Sequence, residues 1–158
     1  MAYSAYAVAN AFIQRAEEGK VQGLTPMKLQ KLLYFTQAWH LKGASGVPIL
    51  DDHFARWRFG PVIPAIYHEF KAFRYSPINR KATTLAVNGN SFSVFLPTIP
   101  QEDASTWSLI DAIINRYGGV DAQALSAMTH LPGSAWAMLP ADGSVITTQE
   151  ILQDATIV

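Results

Sequence analysis

The chain has 158 residues, of which 49% are hydrophobic and only 15% are charged. Twelve Lys and Arg balance twelve Asp and Glu, so the formal net charge is zero. These values exclude an intrinsically disordered chain and argue against a broad nucleic-acid-binding platform, which needs a basic excess. The sequence has no cysteine, which excludes disulfides, thiol nucleophiles and cysteine-ligated metal sites. A surface with so little charge tends to associate, which favours a protein partner or a homo-oligomer.

The N-terminal segment has an apolar run but no basic region before it, so it predicts an amphipathic helix and not a signal peptide. No stretch approaches the roughly 18 apolar residues of a membrane span. We therefore expect a single cytoplasmic domain over residues 1–158, without a membrane association.

Two helices are predicted first. Ser4 is a suitable N-cap for a helix that ends at Gly19, and Thr25 followed by proline opens a second helix that runs to about Lys42. One face of the second helix is apolar and is expected in the core; it carries Leu29, Leu32, Leu33 and Trp39.

Short strands are predicted in the middle of the chain. Residues 47–50 and 54–59 resemble two strands around an acidic turn at residues 51–53, and Gly60-Pro61 is expected to break the chain before a helix that runs to about Arg74. Further on, Asn88-Gly89 is the preferred pair for a type I′ hairpin turn. The apolar face of that hairpin is expected to be buried; it carries Leu85, Val87, Phe92 and Val94.

The last third is predicted to be helical. Thr98 with Gln101 fits a capping box for a helix that ends near Gly118; Asp121 caps a short helix, and a second capping box opens at Thr147. The predicted fold is therefore mainly α with small β-hairpins, an α+β class, arranged as a compact single-domain helical bundle.

No catalytic motif is present. The sequence lacks HExxH, a P-loop, GxGxxG and GxSxG, and no pair of carboxylates lies among apolar residues that would raise one pKa. Asp51-Asp52-His53 is more typical of a tight turn than of a cation site. We expect no enzyme, no metal and no organic cofactor.

A basic stripe is the main candidate for binding. On the second helix it is formed by three lysines and an interleaved aromatic side chain, and two arginines of the following strand are expected beside it; its members are Lys28, Lys31, Phe35, Lys42, Arg56 and Arg58. It is either a solvated helix face or a contact surface for an acidic protein or a phosphate backbone. A helix-turn-helix over residues 121–139 would lack side chains that read bases.

Four segments resemble one known family. They are TPMKLQKLLYF at 25–35, AWHL at 38–41, WRFGPVIPAIY at 57–67 and HLPGSAW at 130–136. In this order and spacing they are similar to the Panacea antitoxin domain, the family of SocA-like antitoxins and GepA-like phage-associated proteins. The stretch 76–97 has no counterpart in that pattern, and we place partner specificity there.

The resemblance implies an antitoxin that neutralises a cognate toxin by direct protein–protein binding, with delivery of the toxin to a cytoplasmic protease as a further mode. The alternative is a prophage-encoded DNA-binding regulator. The basic stripe is then the candidate toxin-contacting site. The remaining motif residues are expected to hold the fold; they are Tyr34, Trp39, Trp57, Gly60, Pro61, Tyr67, His130 and Trp136.

Overall fold

The computed structural model describes residues 2–157 and confirms the mainly helical α+β class. The helices and strands follow in chain order: α1 Ala5–Glu17, α2 Pro26–Gly43, β1 Phe54–Trp57, β2 Gly60–Val62, α3 Pro64–Phe70, β3 Thr84–Asn88, β4 Ser91–Phe95, α4 Ala104–Tyr117, α5 Ala122–Thr129, β5 Val145–Ile146 and α6 Thr148–Leu152. Single 3₁₀ turns cover Lys71–Phe73 and Trp136–Met138.

Helix α2 lies at the centre of the fold. It contacts α1, α3, α4, α5, α6 and β2, and every residue from Lys28 to Ala38 is buried. The helix begins as predicted: the Thr25 side chain accepts a hydrogen bond from the Lys28 backbone N–H, and Pro26 occupies the first position, where its missing N–H costs nothing. Since other elements surround α2, the polar side chains between Lys28 and Ala38 also lie in the interior.

Amide side chains of the helices bind the backbone of non-helical segments. Gln37 Oε1 accepts from the backbone N–H groups of Ile49 and Leu50 at 2.9 and 3.0 Å. Gln30 exchanges two hydrogen bonds with Ile63, accepting from its N–H at 2.9 Å and donating to its carbonyl at 3.1 Å. These bonds satisfy backbone groups that would otherwise be buried without partners.

The first hairpin differs from the prediction. Strand β1 pairs antiparallel with β2 across a turn at Arg58 and Phe59, so Gly60-Pro61 belongs to a strand and does not break the chain. Strand β5 pairs with the other edge of β1. The expected strand over residues 47–50 is only a parallel bridge between Leu50 and Tyr3. The Gln37 side chain occupies the backbone N–H groups that a longer strand would need.

The second hairpin has the predicted faces but a different turn. Leu85 pairs with Val94 and Val87 with Phe92, so the turn residues are Gly89 and Asn90 and not Asn88 and Gly89. Gly89 has φ +63° and Asn90 has no positive φ. Glycine at the first central position is typical of a type II′ turn. The shift moves the pairing by two residues, which preserves the side of the sheet on which each side chain lies.

The expectation that this hairpin buries its apolar face is wrong. The four side chains of that face are all exposed: Leu85 70%, Val87 63%, Phe92 73% and Val94 72%. Only the base of the hairpin is fixed in the core, where the buried Asn10 side chain donates to the carbonyls of Ala82 and Pro97 and accepts from the Ala82 N–H.

The helix starts of the last third were predicted with one error. Asp103, and not Thr98, caps α4 through the Thr106 N–H. The caps at Asp121 and the capping box of Thr147 with Glu150 are confirmed. Between α5 and residue 139 the only further helical segment is the 3₁₀ turn Trp136–Met138, so a helix-turn-helix is not formed over residues 121–139.

We predict that Leu33→Ala lowers the free energy of unfolding by ~2–5 kcal/mol, because Leu33 is fully buried on α2 and its truncation leaves a cavity. Urea denaturation measures this change. Leu139→Ala, at a half-exposed position, is the control and is expected to change stability by less than ~0.5 kcal/mol. Equal effects of the two substitutions would contradict the central position of α2.

Candidate partner-binding surface

The structure corrects the predicted basic stripe. Four of its six members are buried, namely Lys28, Lys31, Phe35 and Arg56, and only Lys42 and Arg58 are exposed. The helical period places residues on faces, but α2 has neighbours on all sides, so the basic face is also an interior face. The DNA-binding alternative thereby loses the basic surface on which it depended.

The lysines of α2 bind backbone carbonyls. Lys28 Nζ donates to Gln22 and to Gly118 at 3.0 and 2.6 Å, and Lys42 Nζ donates to Asp154 at 2.7 Å. Burial lowers the pKa of Lys28. Gly118 ends α4, so its carbonyl belongs to the group of acceptors that a helix leaves without partners. These lysines therefore hold loops and helix ends against α2.

Lys31 is the most deeply buried of the lysines. Its side chain is enclosed, with the residue only 1% exposed, and Nζ donates to the Pro61 carbonyl at 3.1 Å. Strand β2 is an edge strand, and Lys31 satisfies an acceptor on its open side. Burial, without a compensating carboxylate, lowers the pKa of Lys31 to about 7.

Arg56 connects the first hairpin to the C-terminal segment. Its guanidinium is fully buried and donates to the carbonyls of Ala135, Trp136 and Val145. It also donates to the Ser144 hydroxyl and forms an ion pair with the Glu150 carboxylate. An arginine with five donors suits this position, because it can bind several acceptors from different segments at once.

Motif residues gather on one exposed surface, which we call the signature surface. It consists of Trp57, Arg58, Phe59, Tyr67, His130, Leu131 and Trp136. The rings of Trp57 and Tyr67 meet edge to face with centroids 4.9 Å apart, and those of His130 and Trp136 lie 4.0 Å apart. Phe59 is 57% exposed, Leu131 49% and Tyr67 41%, and Arg58 is exposed beside them.

The turn at the centre of this surface is held by its backbone. Trp136 Nε1 donates to the Trp57 carbonyl at 2.8 Å, the Ser126 hydroxyl donates to the Phe59 carbonyl at 2.8 Å, and His130 Nε2 lies 3.0 Å from the Arg58 carbonyl. Three successive carbonyls thus meet three side chains of residues 126–136. The side chains of Arg58 and Phe59 take no part in these bonds and project into solvent.

Gly60 lies on strand β2, close to both α2 and α5. Gly60 has φ +111°, and a Cβ at this position would lie 2.6 Å from Thr129 Oγ1 and 3.0 Å from Lys31 Cε. The glycine therefore allows α2, α5 and the hairpin to approach closely.

Tyr34 and Trp39 also bond within the protein. The Tyr34 hydroxyl donates to the buried Asp154 carboxylate at 2.6 Å, and Trp39 Nε1 donates to the Tyr117 hydroxyl at 2.8 Å. Burial raises the pKa of Tyr34. These contacts connect α2 to the C-terminal segment and to α4.

The acidic turn at residues 51–53 serves the fold. Asp52 accepts a hydrogen bond from the Ala5 N–H at 2.9 Å, at the start of α1. Across residues 2–157 there is no group of three or more His, Asp or Glu side chains that could hold a metal ion. Within the same range no helix is both long and apolar enough to cross a bilayer.

The described residues form a compact α+β domain with an exposed arginine–aromatic turn, and the comparisons with known proteins assign its family. The family model "Antitoxin SocA-like, Panacea domain" matches residues 29–137. The antitoxin SocA of Caulobacter vibrioides is 30% identical over 137 residues, which cover 85% of this chain and 69% of that protein. No solved structure matches the chain. The chain belongs to the SocA-like antitoxin family with a Panacea domain, which confirms the resemblance.

Sequence reasoning placed Arg58 among the binding candidates but did not include Phe59 or Leu131. The available signal for Phe59 was its position between Arg58 and Gly60 in a short strand pattern. The hairpin turns at Arg58 and Phe59, which leaves the Phe59 side chain exposed. Because the strand was predicted to continue to residue 59, this turn was not recognised.

We predict that Gly60→Ala destabilises the protein by ~2 kcal/mol or more, because a Cβ would collide with Thr129 at a backbone angle that alanine rarely adopts. Thermal melting and urea denaturation measure this effect. Gly119→Ala is the control, since a Cβ there meets no atom within 4 Å. If Gly60→Ala melted like the control, the close packing at Gly60 would be contradicted.

We predict that Lys31 gives the protein a pH-dependent stability. Below pH 7 both folded and unfolded states hold the proton, and the cost of the buried charge is fully present. Between pH 7 and about 10.5, the ordinary pKa of lysine, the unfolded state binds more protons, so stability rises with pH by up to ~1.4 kcal/mol per unit.

Urea denaturation of the wild type and Lys31→Met between pH 7 and 9 tests this. Wild-type stability should rise relative to the variant across that range. Lys20→Met removes an exposed lysine and should follow the wild type. Parallel curves for the wild type and Lys31→Met would refute a depressed pKa at Lys31.

Proposed function

We propose that this chain neutralises a cognate toxin by direct binding, without catalysis, and that the signature surface is its contact. Family membership supports the antitoxin role. The observation that carries the choice of surface is the exposed pair Arg58 and Phe59 on a turn whose backbone is fixed from below.

The composition of the signature surface suits a protein interface. Arginine and aromatic side chains dominate the residues that contribute most to binding. Here Arg58 lies over the Phe59 ring at 5.5 Å, with Trp57 and Tyr67 nearby and Leu131 adding apolar area. Since the turn is already ordered, little conformational entropy is lost when a partner binds.

The two exposed side chains of the turn set the chemistry of the partner that fits. A toxin bound here needs a carboxylate for Arg58 and an apolar recess for Phe59. A carboxylate can accept two parallel hydrogen bonds from a guanidinium, which gives directional as well as electrostatic specificity. Lys42, the other exposed member of the predicted stripe, already donates to the Asp154 carbonyl and is less suited to this role.

We predict that Arg58→Glu and Phe59→Ala each weaken binding of the toxin by at least about thirtyfold, corresponding to ~2 kcal/mol at a central interface position. The product of the neighbouring gene is the toxin to use, in calorimetric titration and in a growth-rescue assay. The matched controls are Lys20→Glu and Tyr75→Ala, which make the same kinds of change at exposed positions outside the surface.

The melting temperatures of Arg58→Glu and Phe59→Ala should stay near that of the wild type, because both side chains project into solvent. If both variants bind as the controls do, the signature surface is not the contact. If the wild type forms no complex with the toxin, direct neutralisation itself is refuted.

The adaptor form of this proposal adds delivery of the bound toxin to a cytoplasmic protease. Its readout is the half-life of the toxin in cells with and without the wild-type chain. Delivery is supported if the wild-type chain shortens the half-life of the toxin and the Arg58→Glu variant does not. An unchanged half-life, together with neutralisation, supports binding alone.

A further inference from the structure

The hairpin of β3 and β4, residues 84–95, is an exposed apolar feature that lies outside the signature surface. Its face of Leu85, Val87, Phe92 and Val94 is 63–73% exposed. At the base of the hairpin Phe95 and Leu96 are 55% and 42% exposed. We call this element the hairpin arm.

The hairpin arm carries no charge. Between Lys81 and Glu102 the sequence contains no Asp, Glu, Lys, Arg or His. Exposed strand edges are usually protected by charged residues, since unpaired N–H and C=O groups attract other strands. The two strands of the arm form a separate two-stranded sheet, so each has an open edge. An uncharged, apolar, open sheet is a surface for association.

The root of the hairpin arm is rigid. The buried Asn10 side chain of α1 bonds to Ala82 and Pro97, the residues on either side of the strands, at 2.7–2.9 Å. Asn10 thus fixes where the arm leaves the core. The strands themselves have no core to pack on, and a two-stranded hairpin in water is marginally stable by itself.

We propose that the apolar face of the hairpin arm binds the same face of a second copy of this chain, forming a two-fold symmetric dimer. In a two-fold symmetric interface one patch lies against a copy of itself, so residue i of one chain meets residue j of the other, and an unpaired charge on the patch would be buried twice. A face without charge is complementary to its own copy. The zero net charge of the chain adds no long-range repulsion between copies.

The available area agrees with a weak, reversible dimer. The four apolar side chains of this face, with exposures of 63–73%, offer on the order of 500 Å² per copy, hence on the order of 1,000 Å² in total, which is in the range of weak, transient interfaces. Because the face is apolar, association should persist at high salt, where charged surface contacts are screened.

Sedimentation equilibrium of the full chain tests the proposal. The wild type should form a dimer with a micromolar dissociation constant that does not weaken between low and high salt. Phe92→Asp should weaken the dimer at least tenfold. Ser93→Asp is the matched control, because it puts the same charge on the opposite face of the arm, and it should dimerise like the wild type.

Mixing restores the contact if the proposal holds. Phe92→Asp and Phe92→Lys should each be mainly monomeric alone and should associate when mixed, because the mixed dimer buries one charge of each sign in its interface and not two like charges. Recovery on mixing also shows that both variants are folded.

Three results would overturn the proposal. They are a wild type that stays monomeric at high micromolar concentration, a dimer that Phe92→Asp leaves intact, and equal loss with Phe92→Asp and Ser93→Asp. If the wild type stays monomeric but binds the toxin, and Phe92→Asp weakens that binding, the arm contacts the toxin and not a second copy. The arm contributes no residue to the signature surface, so this test is independent of the proposed toxin contact.

Discussion

The architecture depends on the burial of polar side chains along helix α2. A helix enclosed by six other elements needs a hydrogen-bond partner for every polar group it takes inside, because an unpaired buried group costs several kcal/mol. Gln30, Lys31 and Gln37 find those partners in the backbone of the segments around them. Among residues 2–157 no buried side-chain nitrogen or oxygen lacks a hydrogen bond. The same bonds that satisfy α2 therefore determine where the loops and the edge strand lie.

The helices were predicted well because their capping signals are local in the sequence. The predicted basic stripe was wrong because the burial of its residues depends on segments that are distant in the sequence. Thr25-Pro26 and the capping box at Thr147 act within four residues, so the sequence contains all their partners. Lys31 and Arg56 looked like surface residues because lysine and arginine usually are. Their burial depends on carbonyls that lie 30 residues or more away in the chain, at Pro61 and at Ala135. A helical wheel contains no information about such partners.

The hairpin arm shows a second limit of prediction from the sequence. The period of two correctly placed Leu85, Val87, Phe92 and Val94 on one side of the sheet, even though the turn lies one residue further on. Alternation identifies side chains that share a face, but whether anything covers that face depends on the rest of the fold or on another molecule. An apolar face was expected in the core, and it is on the outside.

The bonds to the carbonyls of residues 57–59 separate the shape of the turn from the identity of its side chains. Since Ser126, His130 and Trp136 hold only backbone groups, any residue at 58 or 59 that tolerates the same backbone would be presented in the same place. Partner choice in such a domain could diverge through one or two substitutions that leave folding untouched, so a single scaffold could evolve to recognise many unrelated proteins.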